Sequence, residues 1–321
     1  MDSLTKPTLS PQQLASICQR HLGDRLASSL ELKDGWFNAA FLLTTKSGRE
    51  AVLKVGPPAS VRLMRYEANM MYAEVSVLQI LRADAGVPVP TVIAYDTSRE
   101  FVDSDLFLSE RLRGKPLNHL RNELDAESQE RIDANIGIEL RKIHDVGGSR
   151  FGVFNQPIHA SWPAAFLCLV DWLRSDADDL GVEIPVGAFD EMAPHLWALT
   201  EVERPALVHW DLWDGNIFVD PETYEITGLI DCERALWGDP LLEFNFLDPK
   251  PSFLRTYGNE IYSRPGARTR RQLYDLYLHL IYVIETKFRG FDENHELGVR
   301  KELDDVLSRF RTFSEKTGST R

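Results

Sequence analysis

The sequence predicts an α+β protein of two lobes: a five-stranded antiparallel sheet backed by a helix over residues 1–110, then a mainly helical lobe over residues 111–321. Three observations predict it. The chain has 321 residues, 43% of them hydrophobic, which exceeds one typical domain and can bury one large or two medium cores. From residue 30 to residue 110, short extended runs alternate with turn residues, the texture of antiparallel strands. Beyond Gly114-Lys115-Pro116 the texture changes, and apolar residues recur every three or four positions, as on the buried face of a helix.

Taken in order, Ser10-Pro11 reads as an N-cap followed by proline at the first helical position. With Leu14, Ile17 and Cys18 on one face, residues 10–22 are predicted to form a short leading helix. LEL from Leu30, AFLLTT from Ala40 and EAVLKV from Glu50 follow as three strands, parted by the turns Gly35 to Asn38 and Ser47-Gly48. Tyr66, Met70, Val77 and Leu81 place a helix over residues 61–82, stopped by Gly86 and Pro88. VPVPTVIAYD and DLFLSERL complete the five strands. In the second lobe, Ile132, Ile136, Leu140 and Ile143 form the stripe of a buried helix, with Arg141, Lys142 and His144 in its last turn. A helix over 161–180, one containing Trp197, a strand-loop-strand over 206–231 and two long helices near 268–289 and 296–315 follow.

Composition excludes several function classes. Cys18, Cys168 and Cys232 are odd in number and widely spaced, which fits neither a disulfide framework nor a zinc site and points to a reducing cytoplasmic compartment. The net charge of −13 is spread along the chain, which disfavours nucleic-acid binding; such acidity is ordinary solubility before it is adaptation to a cationic ligand. The first residues lack a basic head followed by an apolar run, and no later stretch is long enough to span a bilayer, so neither secretion nor membrane insertion is expected. The sequence assigns no oligomeric state.

The informative stretch runs from Leu207 to Asp220, LVHWDLWDGNIFVD, and is followed by GLIDCE from Gly228. Asp211 and Asn216 have the spacing of the kinase catalytic loop H-x-D-x-x-x-x-N, and Asp231 follows an apolar strand as a second metal ligand does. Phosphoryl transfer needs an acceptor hydroxyl in line with the γ-phosphate and neutralisation of phosphate charge. Asp211 is expected to orient the hydroxyl and take its proton. Asn216 and Asp231 offer the hard oxygens that Mg²⁺ prefers, and His209 is expected to brace the loop. The bland alternative, Asp and Asn placed for turn geometry alone, does not account for the ordered combination with an upstream lysine.

HWDLWDGNIFVD and IDCERALWGDP resemble the aminoglycoside phosphotransferase pattern H-G-D-L-H-x-G-N-x-x-x-D with I-D-W-E-x-A-x-x-G-D-P, and the resemblance extends over most of the chain. It implies a protein-kinase-like fold and an ATP- and Mg²⁺-dependent transfer to a hydroxylated small molecule, whether aminoglycoside, choline-like amino alcohol, sugar or another metabolite. It implies that Lys54, in VLKV, holds the α- and β-phosphates, with Glu74 as its acidic partner and Glu67 as second choice. Glu110 and Leu112 fall where the adenine-binding hinge runs, and Asn38 lies in a phosphate-covering turn that lacks G-x-G-x-x-G. Glu233, Glu243, Trp213 and Trp237 are candidate substrate contacts through charge and cation–π attraction, although tryptophans more often serve a core. Asp239 is expected to be a structural cap and His144 a packing residue.

The sequence also departs from the pattern: Trp210 stands where the family has glycine, Trp213 where it has histidine and Cys232 where it has an aromatic residue. A protein kinase is disfavoured, since only six residues part Asp231 from Gly238 and leave no room for an activation loop. A non-catalytic nucleotide-binding module is disfavoured too, because neither the lysine nor a metal ligand is missing.

Overall fold

The computed structural model describes residues 3–33 and 35–318. They pack as two compact units. The first takes in the chain up to Arg62, Asn69–Ile132 and Leu212–Glu233; the second takes in Leu63–Ala68, Asp133–Asp211 and the chain from Arg234 on.

In the first unit, α1 (Pro11–Leu22) opens with the predicted proline and a reciprocal cap, in which Ser10 Oγ accepts the Gln13 N–H and Gln13 Oε1 accepts the Ser10 N–H. Five strands follow: β1 (Leu26–Leu32), β2 (Ala39–Thr45), β3 (Glu50–Val55), β4 (Val92–Asp96) and β5 (Leu106–Glu110). They pair antiparallel throughout in the order β1-β2-β3-β5-β4. Alternation along β2 and β3 sends Ala39, Phe41, Leu43, Ala51, Leu53 and Val55 into one buried layer with Leu14, Ile17 and Cys18 of α1. Lys54, between Leu53 and Val55, therefore projects from the opposite face, the one against which α2 (Met70–Ile80) packs.

The helix expected over 61–82 is shorter than its periodicity suggested. Asn69 takes a left-handed φ of 58°, so α2 starts at Met70, and Arg65–Glu67 form a separate 3₁₀ turn belonging to the second unit. Strand β4 likewise starts only after Pro88 and Pro90, whose missing N–H groups cannot join a ladder. A short sheet of the first unit joins β6 (Lys115–Pro116) to the hairpin of β9 (Ile217–Val219) and β10 (Ile226–Leu229).

The second unit is mainly helical. It uses α3 (Ala126–Asp145, from Asp133 on), α4 (Trp162–Leu180), α5 (Pro251–Tyr257), α6 (Glu260–Ser263), α7 (Ala267–Arg289) and α8 (Glu293–Gly318). Trp162, Phe166, Tyr274 and Tyr277 form the aromatic contact of α4 with α7. The Trp197 segment, predicted as a helix, is a 3₁₀ run over Asp190–Glu201: Pro194 lies inside it and cannot donate the backbone bond an α-helix needs. A small sheet of β7 (Gly152–Val153), β11 (Leu236–Gly238) and β8 (Ala206–Val208) ends just before His209. No helix among the described residues is long and apolar enough to cross a membrane.

Candidate active site

Lys54 is the centre of a charged cluster within the first unit. Its Nζ donates to Glu74 Oε1 at 2.6 Å and to Asp231 Oδ1 at 2.7 Å. Pairing of β3 with β2 and β5 fixes where the lysine emerges, and α2 supplies Glu74 opposite it. Glu67, the second choice of partner, is instead a residue of the second unit, where it is ion-paired with Arg289. Glu233 joins the cluster: carboxylate oxygens of Glu74, Asp231 and Glu233 all lie within 4.8 Å of one another. Asn38, in the turn between β1 and β2, donates through Nδ2 to Glu233 Oε2.

The β9–β10 hairpin brings the two expected metal ligands together. The Ile230 N–H donates to the Asn216 carbonyl at 3.1 Å, which sets Asn216 beside the residue that precedes Asp231. Asp231 itself has φ of 69°, a left-handed conformation uncommon for a residue with a side chain. Arg121 clamps Asp214 through two hydrogen bonds, one of 2.8 Å, and so holds the turn that leads into Asn216. Gly215 has its reason in Trp213: a Cβ there would stand 2.2 Å from the indole ring. Trp213 is otherwise well exposed, while Leu112 packs on β10, where a Cβ on Gly228 would meet it at 2.4 Å. The Glu110 N–H is taken by the Thr91 carbonyl at 2.9 Å.

Three carboxylates around one ammonium decide the local protonation. Burial works against the charged Lys54, yet Asp231, Glu74 and Glu233 more than offset it and hold the ammonium well above its usual range. Burial pushes Glu74 up to about 7, with Lys54 opposing and Asp231 adding to the rise, and its Oε2 is buried without a hydrogen-bond partner. A carboxyl with a raised folded pKa contributes its stability below the unfolded value of 4.5 and loses it as pH rises through about 7. Between pH 5 and 8 the melting temperature of the protein is therefore expected to fall more steeply than that of a Glu74→Gln variant. Parallel slopes would show that Glu74 is ionised throughout.

Asp211 lies half-buried in the second unit, three residues beyond β8. The two residues before it are held by Glu243, whose Oε2 accepts the N–H of His209 at 2.9 Å and of Trp210 at 3.1 Å. His144 bonds Tyr257 through Nδ1 at 2.7 Å and turns Nε2 to 3.6 Å from the same Glu243 oxygen. Burial alone would raise the Glu243 pKa, but His144, His209 and the Trp210 N–H draw it below the ordinary carboxylate range. Glu243 is 0% exposed, so the substrate contact expected of it is corrected: it is the buried anchor of the loop that carries Asp211. Only the backbone N–H groups that donate to it reveal that role, and the sequence carried no signal for it. Trp237 stacks on Phe154 at 5.6 Å. Asp239 caps Pro240–Asn245 and binds Arg270 and Tyr274 at 2.6 and 2.8 Å, the structural part expected of it.

Comparison with known proteins identifies the family and the fold. Residues 29–259 match the APH family, described as the phosphotransferase enzyme family. Two strains of Aspergillus fumigatus carry a subtelomeric hrmA-associated cluster protein 30% identical over 133 residues, 41% of this chain; the match spans only 25% of that protein's length. A protein named probable ketoamine kinase from Vibrio cholerae is 27% identical over 228 residues, 64% of this chain and 71% of its own. Among solved structures, a thermostable mutant of aminoglycoside phosphotransferase APH(4)-Ia, in ternary complex with AMP-PNP and hygromycin B, superposes with a TM-score of 0.66. That likeness covers 92% of this chain and 98% of the other at 18% identity, and at such identity it speaks for the fold, that of the protein-kinase-like phosphotransferases.

Proposed function

The chain belongs to the phosphotransferase enzyme family, and we propose that it transfers the γ-phosphate of ATP, with Mg²⁺, to a hydroxyl of a small molecule. One observation carries the reading: Lys54 is held between Glu74 and Asp231 at 2.6 and 2.7 Å. That arrangement keeps an ammonium charged for phosphate oxygens while leaving a carboxylate beside it for a metal. In this proposal residues 1–110 supply the nucleotide-binding lobe, with Lys54, Glu74 and Asn38 toward the phosphates and Glu110 and Leu112 at the adenine. Residues 111–321 supply catalysis and acceptor binding. Asp211 orients the acceptor hydroxyl and takes its proton; the chain ties it to Asn216, since only four residues part them.

The donor set suits Mg²⁺. Asn216 and Asp231 offer hard oxygens, Glu233 adds a carboxylate within 4.8 Å of Asp231, and Glu74 Oε2 is a buried oxygen without a hydrogen-bond partner. When bound, the ion would neutralise negative charge on the phosphates. Trp213, exposed on the loop before Asn216, keeps its place as a candidate acceptor contact.

The test is nucleotide consumption by the purified protein with Mg-ATP across aminoglycosides, ketoamines, choline, ethanolamine, sugars and hydroxylated amino acids, with Asp211→Asn as control. Acceptor-stimulated turnover that disappears in the variant is the expected result. ATP binding with no turnover on any acceptor would reduce the protein to a nucleotide-binding module.

A further inference from the structure

Arg234 follows the charged cluster by a single residue and opens the last segment of the second unit. Within that unit its guanidinium carbon stands 5.0 Å from the Trp210 ring, 5.6 Å from Tyr66 and 5.7 Å from Phe246, so three aromatic faces hold it by cation–π attraction. Nη2 donates to the Tyr66 hydroxyl at 3.1 Å. Nε is shielded from solvent and has no acceptor. The acids that act on its charge are Glu285, which also lies 3.7 Å from Arg289, and Asp211, both from beyond ion-pair distance. Among the described residues no carboxylate forms an ion pair with Arg234.

This is a costly arrangement for a residue that only packs. A guanidinium cannot shed its charge, and a desolvated charge is unfavourable unless it is paired and hydrogen-bonded; Glu285 and Asp211 favour the charge of Arg234 without forming an ion pair with it. A methionine would fill a nest of aromatic rings without that penalty. The ring nearest to Arg234 belongs to Trp210, the residue directly before Asp211, which places the unpaired fork next to the residue that would receive the acceptor hydroxyl.

We propose that Arg234 binds a carboxylate of the acceptor, so that the substrate is a hydroxylated carboxylic acid. An arginine fork takes a carboxylate through two parallel charge-assisted hydrogen bonds, which would satisfy the orphaned donor and the unpaired charge together. The inference rests on the kinase reading above and narrows its acceptor class.

The experiment compares acids and amides of one carbon skeleton, homoserine against homoserine amide and glyceric acid against glyceramide, with an aminoglycoside as polycationic reference. For the wild-type enzyme with Mg-ATP, kcat/KM for each acid is expected to exceed that of its amide by about tenfold or more, because a site built around a hydrogen-bonded group rejects the analogue that lacks it. In Arg234→Gln the acid-to-amide ratio is expected to fall toward one. Arg234→Lys, which keeps the charge and loses the fork, should fall between. Turnover of amides or the aminoglycoside at or above that of the acids overturns the carboxylate assignment and leaves the kinase reading standing. So does an Arg234→Gln loss that is equal for acid and amide, the mark of a purely structural staple. Absence of turnover with every acceptor would end the kinase reading and this inference with it; because the wild-type comparison needs no variant, a poorly folding substitution cannot obscure the result.

Discussion

Turnover of the Asp211→Asn variant is expected to fall by about 10³-fold, within the range that removal of a general base produces, while nucleotide continues to bind. Asparagine matches aspartate in shape, so the loop keeps its packing. What disappears is the negative charge that would receive the hydroxyl proton. The contacts that hold Lys54 to Glu74 and Asp231 lie within the first unit and do not include Asp211, so nucleotide affinity serves as an internal control. Lys54→Met should do the reverse, weakening nucleotide binding first, because it leaves three carboxylates clustered without their ammonium. Measuring turnover and ATP affinity for both variants separates the roles. An Asp211→Asn enzyme that turns over at the wild-type rate would remove Asp211 from the mechanism and leave the phosphate-binding side of the proposal intact.

Much of this arrangement was legible in the sequence because it depends on short-range rules. Period-two alternation places Lys54 on the face opposite Leu53 and Val55, and the turn at Gly215-Asn216 follows from local chemistry. The stripe Ile132, Ile136, Leu140 and Ile143 specifies α3, all four residues being buried. Where the reading fell short, long-range or backbone effects decided. A left-handed Asn69 cut α2 short, and no periodicity records a positive φ. Glu67 and Glu74 both lie on the buried side of their segment, and only tertiary packing sends one to Arg289 and the other to Lys54.

Trp210 shows how a departure from a family pattern can be accommodated. Its φ of 59° is a conformation that glycine adopts freely and a tryptophan adopts at a cost. The indole is compensated by stacking on Tyr277 at 6.0 Å and 9° and by the Arg234 guanidinium at 5.0 Å. The substitution that most distinguishes this loop from the family pattern thus also creates the nest that holds Arg234. Sequence alone marked Trp210 as an exception, and its physical content needed the positions of two other side chains, Tyr277 and Arg234.

The largest stability effect is expected at Glu243. Glu243→Ala removes the acceptor shared by the His209 and Trp210 N–H groups and leaves two buried donors unsatisfied, at about 1–3 kcal/mol each. A total loss of about 3–5 kcal/mol is expected, comparable to breaking a buried charged partnership. Glu243→Gln retains an oxygen for the same N–H groups and should lose less, about 1–2 kcal/mol. The pH dependence has a definite sign. The folded pKa of Glu243 is depressed from 4.5, so its charge contributes stability that is fully present above that value and is lost as pH falls through the folded pKa. The gap between wild type and Glu243→Gln should therefore be widest at neutral pH and narrow in acid. Urea unfolding of both proteins at pH 7 and pH 4 measures it. A gap that widens in acid would mean that the carboxylate is held neutral in the folded protein, and the anchoring of the Asp211 loop would then have to be assigned to His144 and the surrounding packing instead.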